Sequence, residues 1–141
     1  TAIGSDLLEE GWLQRIASEI TAETYVLITI EGVFAYFTLE QIQLLLEHLH
    51  HYFAGRCVLV FDALSSFWAG RSKMHDTLKH MEATFVGGID SEVDILRLLP
   101  QAQFERKKAV VDLMAEVWWV AHLMQLTKKM RESTQIFTFR L

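Results

Sequence analysis

The chain has 141 residues, 51% of them apolar and 22% charged, a balance that suits one folded globular unit and excludes disorder. A formal charge of −5 with Lys and Arg scattered rather than massed argues against a nucleic-acid partner, no apolar run is long enough for a membrane span, and the opening residues do not read as a signal peptide. The single cysteine, Cys57, excludes an intramolecular disulfide and a multi-thiolate zinc site and points to a reducing, cytoplasmic setting.

In chain order, Asp6 to Ile20 reads as a turn and a short helix, with Ser5 or Asp6 as cap and Leu8, Trp12, Leu13 and Ile16 at helical spacing. Thr24 to Ile30 is β-branched and apolar on both parities, the pattern of a parallel strand covered on both faces. Thr38 is placed as an N-cap with Gln41 completing a capping box, and Ile42, Leu45, Leu46, Leu49 and Phe53 form one helical stripe closed by Gly55. Cys57 to Phe61 repeats the buried-strand pattern and ends in Asp62. Strand, helix, strand is a βαβ unit, so the fold class is α/β. Beyond it the spacing predicts a helix over Arg71 to Met81, a short helix from Asp90 or Ser91 to Leu99, and a strand in the first half of Gln103 to Val111. It then predicts a helix over Trp118 to Arg131 with Trp119, Leu123, Leu126 and Met130 on one face, and a final strand from Thr134 to Leu141. No linker or repeat interrupts residues 1–141, which read as a single compact unit.

In open parallel sheets ligands bind beyond the carboxyl ends of the strands, where loops and helix N-termini converge. The two strands of the βαβ unit end in Glu31-Gly32 and in Asp62. Two carboxylates there, with no side chain on Gly32, suit a ligand carrying an ammonium, a sulfonium or ribose hydroxyls. They equally suit carboxylates that satisfy loop N–H groups, and spacing alone leaves both uses open.

Asp6-Leu7-Leu8, Trp12-Leu13, the string EGVFAYF over Glu31 to Phe37 and Phe61-Asp62-Ala63-Leu64-Ser65 resemble, in order and spacing, the second half of the leucine carboxyl methyltransferase family. Arg71 to Asp76 and Phe85 to Asp90 are more similar to its bacterial polyketide O-methyltransferase branch. The resemblance implies a partial Rossmann-like sheet made of the fourth to seventh strands of a class I methyltransferase, the last antiparallel and inserted between the fifth and sixth. It implies S-adenosylmethionine as cofactor, with Asp6 accepting from the adenine amino group, Leu7 against the ring, Glu31 and Gly32 at the methionine end and Tyr36 bordering the transfer pocket. The acceptor it implies is a small molecule methylated on oxygen. The Gly-rich loop and the acidic residue that follow the first two strands of such enzymes have no counterpart here, so the isolated chain is expected to bind the cofactor weakly. A chain without the first strands also bares a sheet edge, which invites a homodimer or strand exchange. The competing reading is a non-catalytic α/β assembly module.

Among other residues with reactive side chains, His75 follows the second strand and is a candidate general base for a hydroxyl acceptor. His48, His50 and His51 lack the spacing of a metal set, so no metal is expected. Cys57 opens a buried strand and reads as core.

Overall fold

The structure, a computed structural model, describes residues 2–68, 85–119 and 121–141. The helix expected over Arg71 to Met81, and with it His75, lies outside the described residues.

Helix α1 spans Gly11–Glu19 and begins later than expected, because Asp6 is used in its own turn. Its Oδ1 accepts the Leu8 N–H at 2.9 Å, a local bond that competes with helix initiation. Strand β1, Val26–Ile30, is also shorter than the apolar run, since the Thr24 N–H turns back to the Thr21 carbonyl. Helix α2, Leu39–Phe53, begins with the expected capping box: the Thr38 N–H donates to Gln41 Oε1 at 2.9 Å and the Gln41 N–H to Thr38 Oγ1 at 3.3 Å. Its five-residue stripe is fully buried, and Gly55 at φ +76° turns the chain out of the helix.

Strand β2 runs Cys57–Leu64, past the end expected for it. Asp62 therefore lies inside the strand rather than beyond it. The reason is a neighbour remote in sequence: β4, Thr134–Arg140, pairs antiparallel with β2 and engages Asp62 with Ile136, Ala63 with Gln135 and Leu64 with Thr134. Helix α3, Glu92–Leu98, starts after Ser91 and ends before Pro100 as expected. The strand expected in the first half of Gln103 to Val111 extends over Gln103–Ala109 as β3 and leads directly into a short helix α4, Val110–Met114.

The long helix expected over Trp118 to Arg131 is instead two single turns, α5 (Ala121–Met124) and α6 (Lys128–Arg131). Thr127 is extended and caps α6, its Oγ1 accepting the Met130 N–H. Asp112 on α4 gathers both pieces, accepting from Gln125 Nε2 at 2.8 Å and from Arg131 Nε and Nη2 at 2.9 and 2.7 Å. The expected apolar face is consequently not buried: Trp119, Leu123, Leu126 and Met130 are all exposed.

The four strands form one mixed sheet in the order β1-β2-β4-β3, with β1 and β2 parallel and β4 antiparallel to both neighbours. The last strand is thus inserted, as the resemblance implies. Helices α1, α2 and α3 cover one face, where Leu13, the α2 stripe and Ile95 pack on Leu59, Phe61, Phe137 and Phe139. On that face Phe61 stacks with Phe137 at 5.4 Å and Phe139 at 6.1 Å. Burial of Cys57 there pushes its thiol up to about 11, as suits a core residue.

Among the described residues β1 is covered on one side only, not on both as its pattern predicts. Val26, Ile28 and Ile30 turn into the core, but Leu27 is 67% exposed on the opposite face and Tyr25, just before the strand, is 84% exposed. The apolar-on-both-parities pattern records a face that has no cover among the described residues.

Candidate functional site

Glu31 and Gly32 follow directly on β1, and the alignment of Thr29 with Val60 and Ile30 with Phe61 sets them beside Asp62 of β2. Gly32 has φ +67°, a conformation costly to any side-chain-bearing residue, although a Cβ there would meet open space. Its N–H donates to Asp62 Oδ1 at 2.6 Å. Asp62 is thus spent on holding the turn, whereas Glu31 is exposed and makes no hydrogen bond or ion pair among the described residues. Of the two uses that spacing left open for these carboxylates, Asp62 has the structural one, and Glu31 has no partner among the described residues.

Both carboxylates line a cavity of about 390 Å³, within the range of small-molecule sites, together with Thr29, Val60, Thr134, Ile136 and Val110. Thr134, Ile136 and Val110 escape a reading of the sequence, because nothing local joins a C-terminal strand to a turn a hundred residues earlier; the insertion of β4 beside β2 does so.

The next loops converge on the same end of the sheet. Phe34–Tyr36 forms a 3-10 turn seated by Phe34 on Phe61, ring centroids 4.7 Å apart. The Ala35 carbonyl accepts from Val86 N–H at 2.9 Å, and Ile89 N–H donates to the Leu64 carbonyl at 2.9 Å, so the 85–90 segment lies across the ends of β1 and β2. This explains Gly87 and Gly88. A Cβ on Gly87 would collide with the carbonyl oxygens of Phe37 and Phe34, and one on Gly88 with the backbone of Ser66. Asp90 clasps the turn after β2, accepting from Ser66 N–H at 2.9 Å and Ser66 Oγ at 2.6 Å.

Tyr36 does not line the Glu31 cavity. It is half-exposed with its ring 5.5 Å from that of Phe85, forming a wall above it in the chain. Asp6 and Leu7 lie ahead of α1 and do not line that cavity either; the Leu7 carbonyl accepts from Trp12 Nε1 at 3.3 Å. A second, larger hollow of about 670 Å³ opens past the end of β2 between Ser65-Ser66-Phe67, Asp90 and Lys128-Lys129. Gln135, 3% exposed, forms part of its lining, and the Lys129 ammonium sits 3.8 Å over the Phe67 ring.

Away from this end, His48 Nε2 lies 3.3 Å from Glu10 Oε1, and Tyr52 donates to Glu10 Oε2 at 2.7 Å, a bond that raises the Tyr52 hydroxyl above its ordinary value. This ties α1 to α2. Among the described residues no three His, Cys, Asp or Glu side chains gather in the manner of a metal site.

No family model matches the chain, and no curated protein matches it in sequence. Among solved structures it is similar to magnesium protoporphyrin IX methyltransferase from Synechocystis PCC 6803, crystallised with bound SAH, at 14% identity and a TM-score of 0.50. The match covers 99% of this chain and 50% of that one, so the chain spans half the length of the structure it matches. The α/β architecture, a four-stranded mixed sheet with flanking helices, accordingly matches a methyltransferase-like fold. No described helix is long and apolar enough to cross a membrane.

Proposed function

We propose that residues 1–141 are the carboxyl-terminal half of a class I, S-adenosylmethionine-dependent O-methyltransferase domain of the leucine carboxyl methyltransferase type, acting in the cytoplasm on a small, polyketide-like acceptor. The observation that carries this reading is the turn at Glu31-Gly32: an unengaged carboxylate at the carboxyl end of a parallel strand, in a methyltransferase-like half-sheet, beside a turn that Asp62 holds open.

S-adenosylmethionine, when bound, supplies a methyl group on a cationic sulfur for in-line displacement by an oxygen nucleophile. The residues present fit one part of it. The Glu31 carboxylate suits the ammonium of the methionine end, and Gly32 lets the ligand approach backbone. Asp6 keeps Oδ2 for the adenine amino group while Oδ1 holds the Leu8 N–H, with Leu7 beside the ring. Tyr36, on Phe85, borders the transfer pocket, and the larger hollow past β2 receives the acceptor. The chain's contribution to rate is alignment and exclusion of water. A carboxylate acceptor arrives ionised at neutral pH and needs no base; a hydroxyl acceptor would draw on His75.

Titration calorimetry of S-adenosylhomocysteine into the chain tests this. Weak binding is expected, above micromolar, and Glu31→Gln weakens it about tenfold through loss of one charge-assisted contact. Unchanged affinity in Glu31→Gln overturns the assignment of Glu31, and micromolar binding by the wild-type chain overturns the half-site reading.

A further inference from the structure

Between α4 and β4 the surface combines exposed apolar side chains with positive charge. Asp112 draws Gln125 and Arg131 onto α4, which gathers the intervening turns on one side of the molecule. Val117, Trp118, Trp119, Leu123, Leu126 and Met130 are all exposed there, Trp119 by 73% and Leu126 by 77%. Neither tryptophan donates a hydrogen bond from its indole N–H among the described residues. Residues 117–132 contain three Lys and Arg against one Asp or Glu, whereas the rest of the chain contains ten against seventeen. Arg131 is answered by Asp112. Lys129 has no acidic partner among the described residues, and Lys128, its side chain 85% exposed, reaches Glu132 only at 3.9 Å. Positive charge is therefore to spare here, in a chain whose formal charge is −5.

Apolar side chains concentrated in this way on a surface mark a contact with another body. A second copy of the chain suits the contact poorly: about a two-fold axis it sets Lys128 and Lys129 against their own counterparts, with no free carboxylate between them. An anionic lipid surface answers both features. Indole rings settle at headgroup level, with the ring body in an apolar layer and the N–H wet. Leucine side chains enter the acyl boundary, and lysine stems reach back to the lipid phosphates. We infer that the surface from Val117 to Met130 docks on an anionic lipid bilayer, lying on it without spanning it, with Trp119, Leu123 and Leu126 inserted and Lys128 and Lys129 at the phosphates. Lys128 and Lys129 also line the hollow past β2, so the bilayer adjoins that hollow. The lipid contact stands apart from the methyl-transfer reading, and either can fail alone.

Co-sedimentation with vesicles tests it, on the 141-residue chain and on the intact polypeptide that carries it. Both are expected to bind vesicles of equal parts phosphatidylcholine and phosphatidylglycerol, and to bind phosphatidylcholine alone at least about tenfold more weakly. Trp119→Ser combined with Leu126→Ser lowers binding about thirtyfold, as two apolar side chains leave the interface, while Leu44→Ser, exposed on α2, leaves it unchanged. Lys128→Ala combined with Lys129→Ala lowers it about thirtyfold on the mixed vesicles only. Circular dichroism checks that each variant keeps its fold. Absence of binding by the intact polypeptide overturns the inference, and if the 141-residue chain still binds, the surface is assigned to a contact within that polypeptide. Binding that ignores lipid charge, or that survives loss of Trp119 and Leu126, also overturns it. Dimerisation abolished by the Trp119 and Leu126 changes, with no vesicle binding, assigns the surface to a second copy.

Discussion

Gly87 and Gly88 show how a residue can be essential without any chemistry of its own. In an α/β fold a Gly-Gly pair invites comparison with a phosphate-binding loop, yet here the pair lets one backbone cross another. With Phe34 and Phe37 carbonyl oxygens where a Cβ would stand, Gly87→Ala is expected to cost about 1–3 kcal/mol in urea unfolding, the range of core overpacking. Gly11→Ala, at an open site on α1, is the control and should not destabilise. Gly32 is constrained by φ instead of by space, and its identity was legible from its place beside Glu31. Asp62 was legible as a residue of the site, but its use was not, since only the parallel register brings it to the Gly32 N–H.

At the scale of elements, α2 illustrates local determination: cap, stripe and terminating glycine all lie within its own residues, and all are used as their types suggest. Thr38→Ala is therefore expected to lower stability by about 1 kcal/mol, checked by thermal or urea unfolding, because it orphans the Gln41 N–H. The α4–α6 segment is the opposite case. Its helical periodicity is real, but Asp112 bends the chain around itself, and the guanidinium of Arg131, followed by Gln125, holds the Asp112 carboxyl below the usual carboxylate range. A lowered carboxylate stabilises the fold above its unfolded value, about 3.9, and that contribution is lost as pH falls through the lowered one. Acid should thus loosen this segment, read as loss of the near-ultraviolet signal of Trp118 and Trp119. Asp112→Asn should weaken that signal at neutral pH and flatten its dependence on acid.

Across the whole molecule, one face of the sheet carries the core, and beside β1 the other has no cover among the described residues. The open edge and the exposed Leu27 should make the isolated chain associate reversibly at high concentration, and Leu27→Lys should suppress this in light scattering by placing a charge on the pairing surface. A strictly monomeric wild-type chain at millimolar concentration would count against it.

The sequence by itself determined the βαβ unit, the α2 caps, the α3 start, the final strand and the position of Glu31-Gly32, because each depends on residues within a few turns of one another. The order implied by the family resemblance extended this to the insertion of β4. Only the tertiary structure decided where β2 ends, how α4–α6 breaks, what Asp62 does and which partners line the Glu31 cavity. Each of these depends on contacts between segments distant in the chain, and periodicity records only that a face is apolar, not whether anything lies against it.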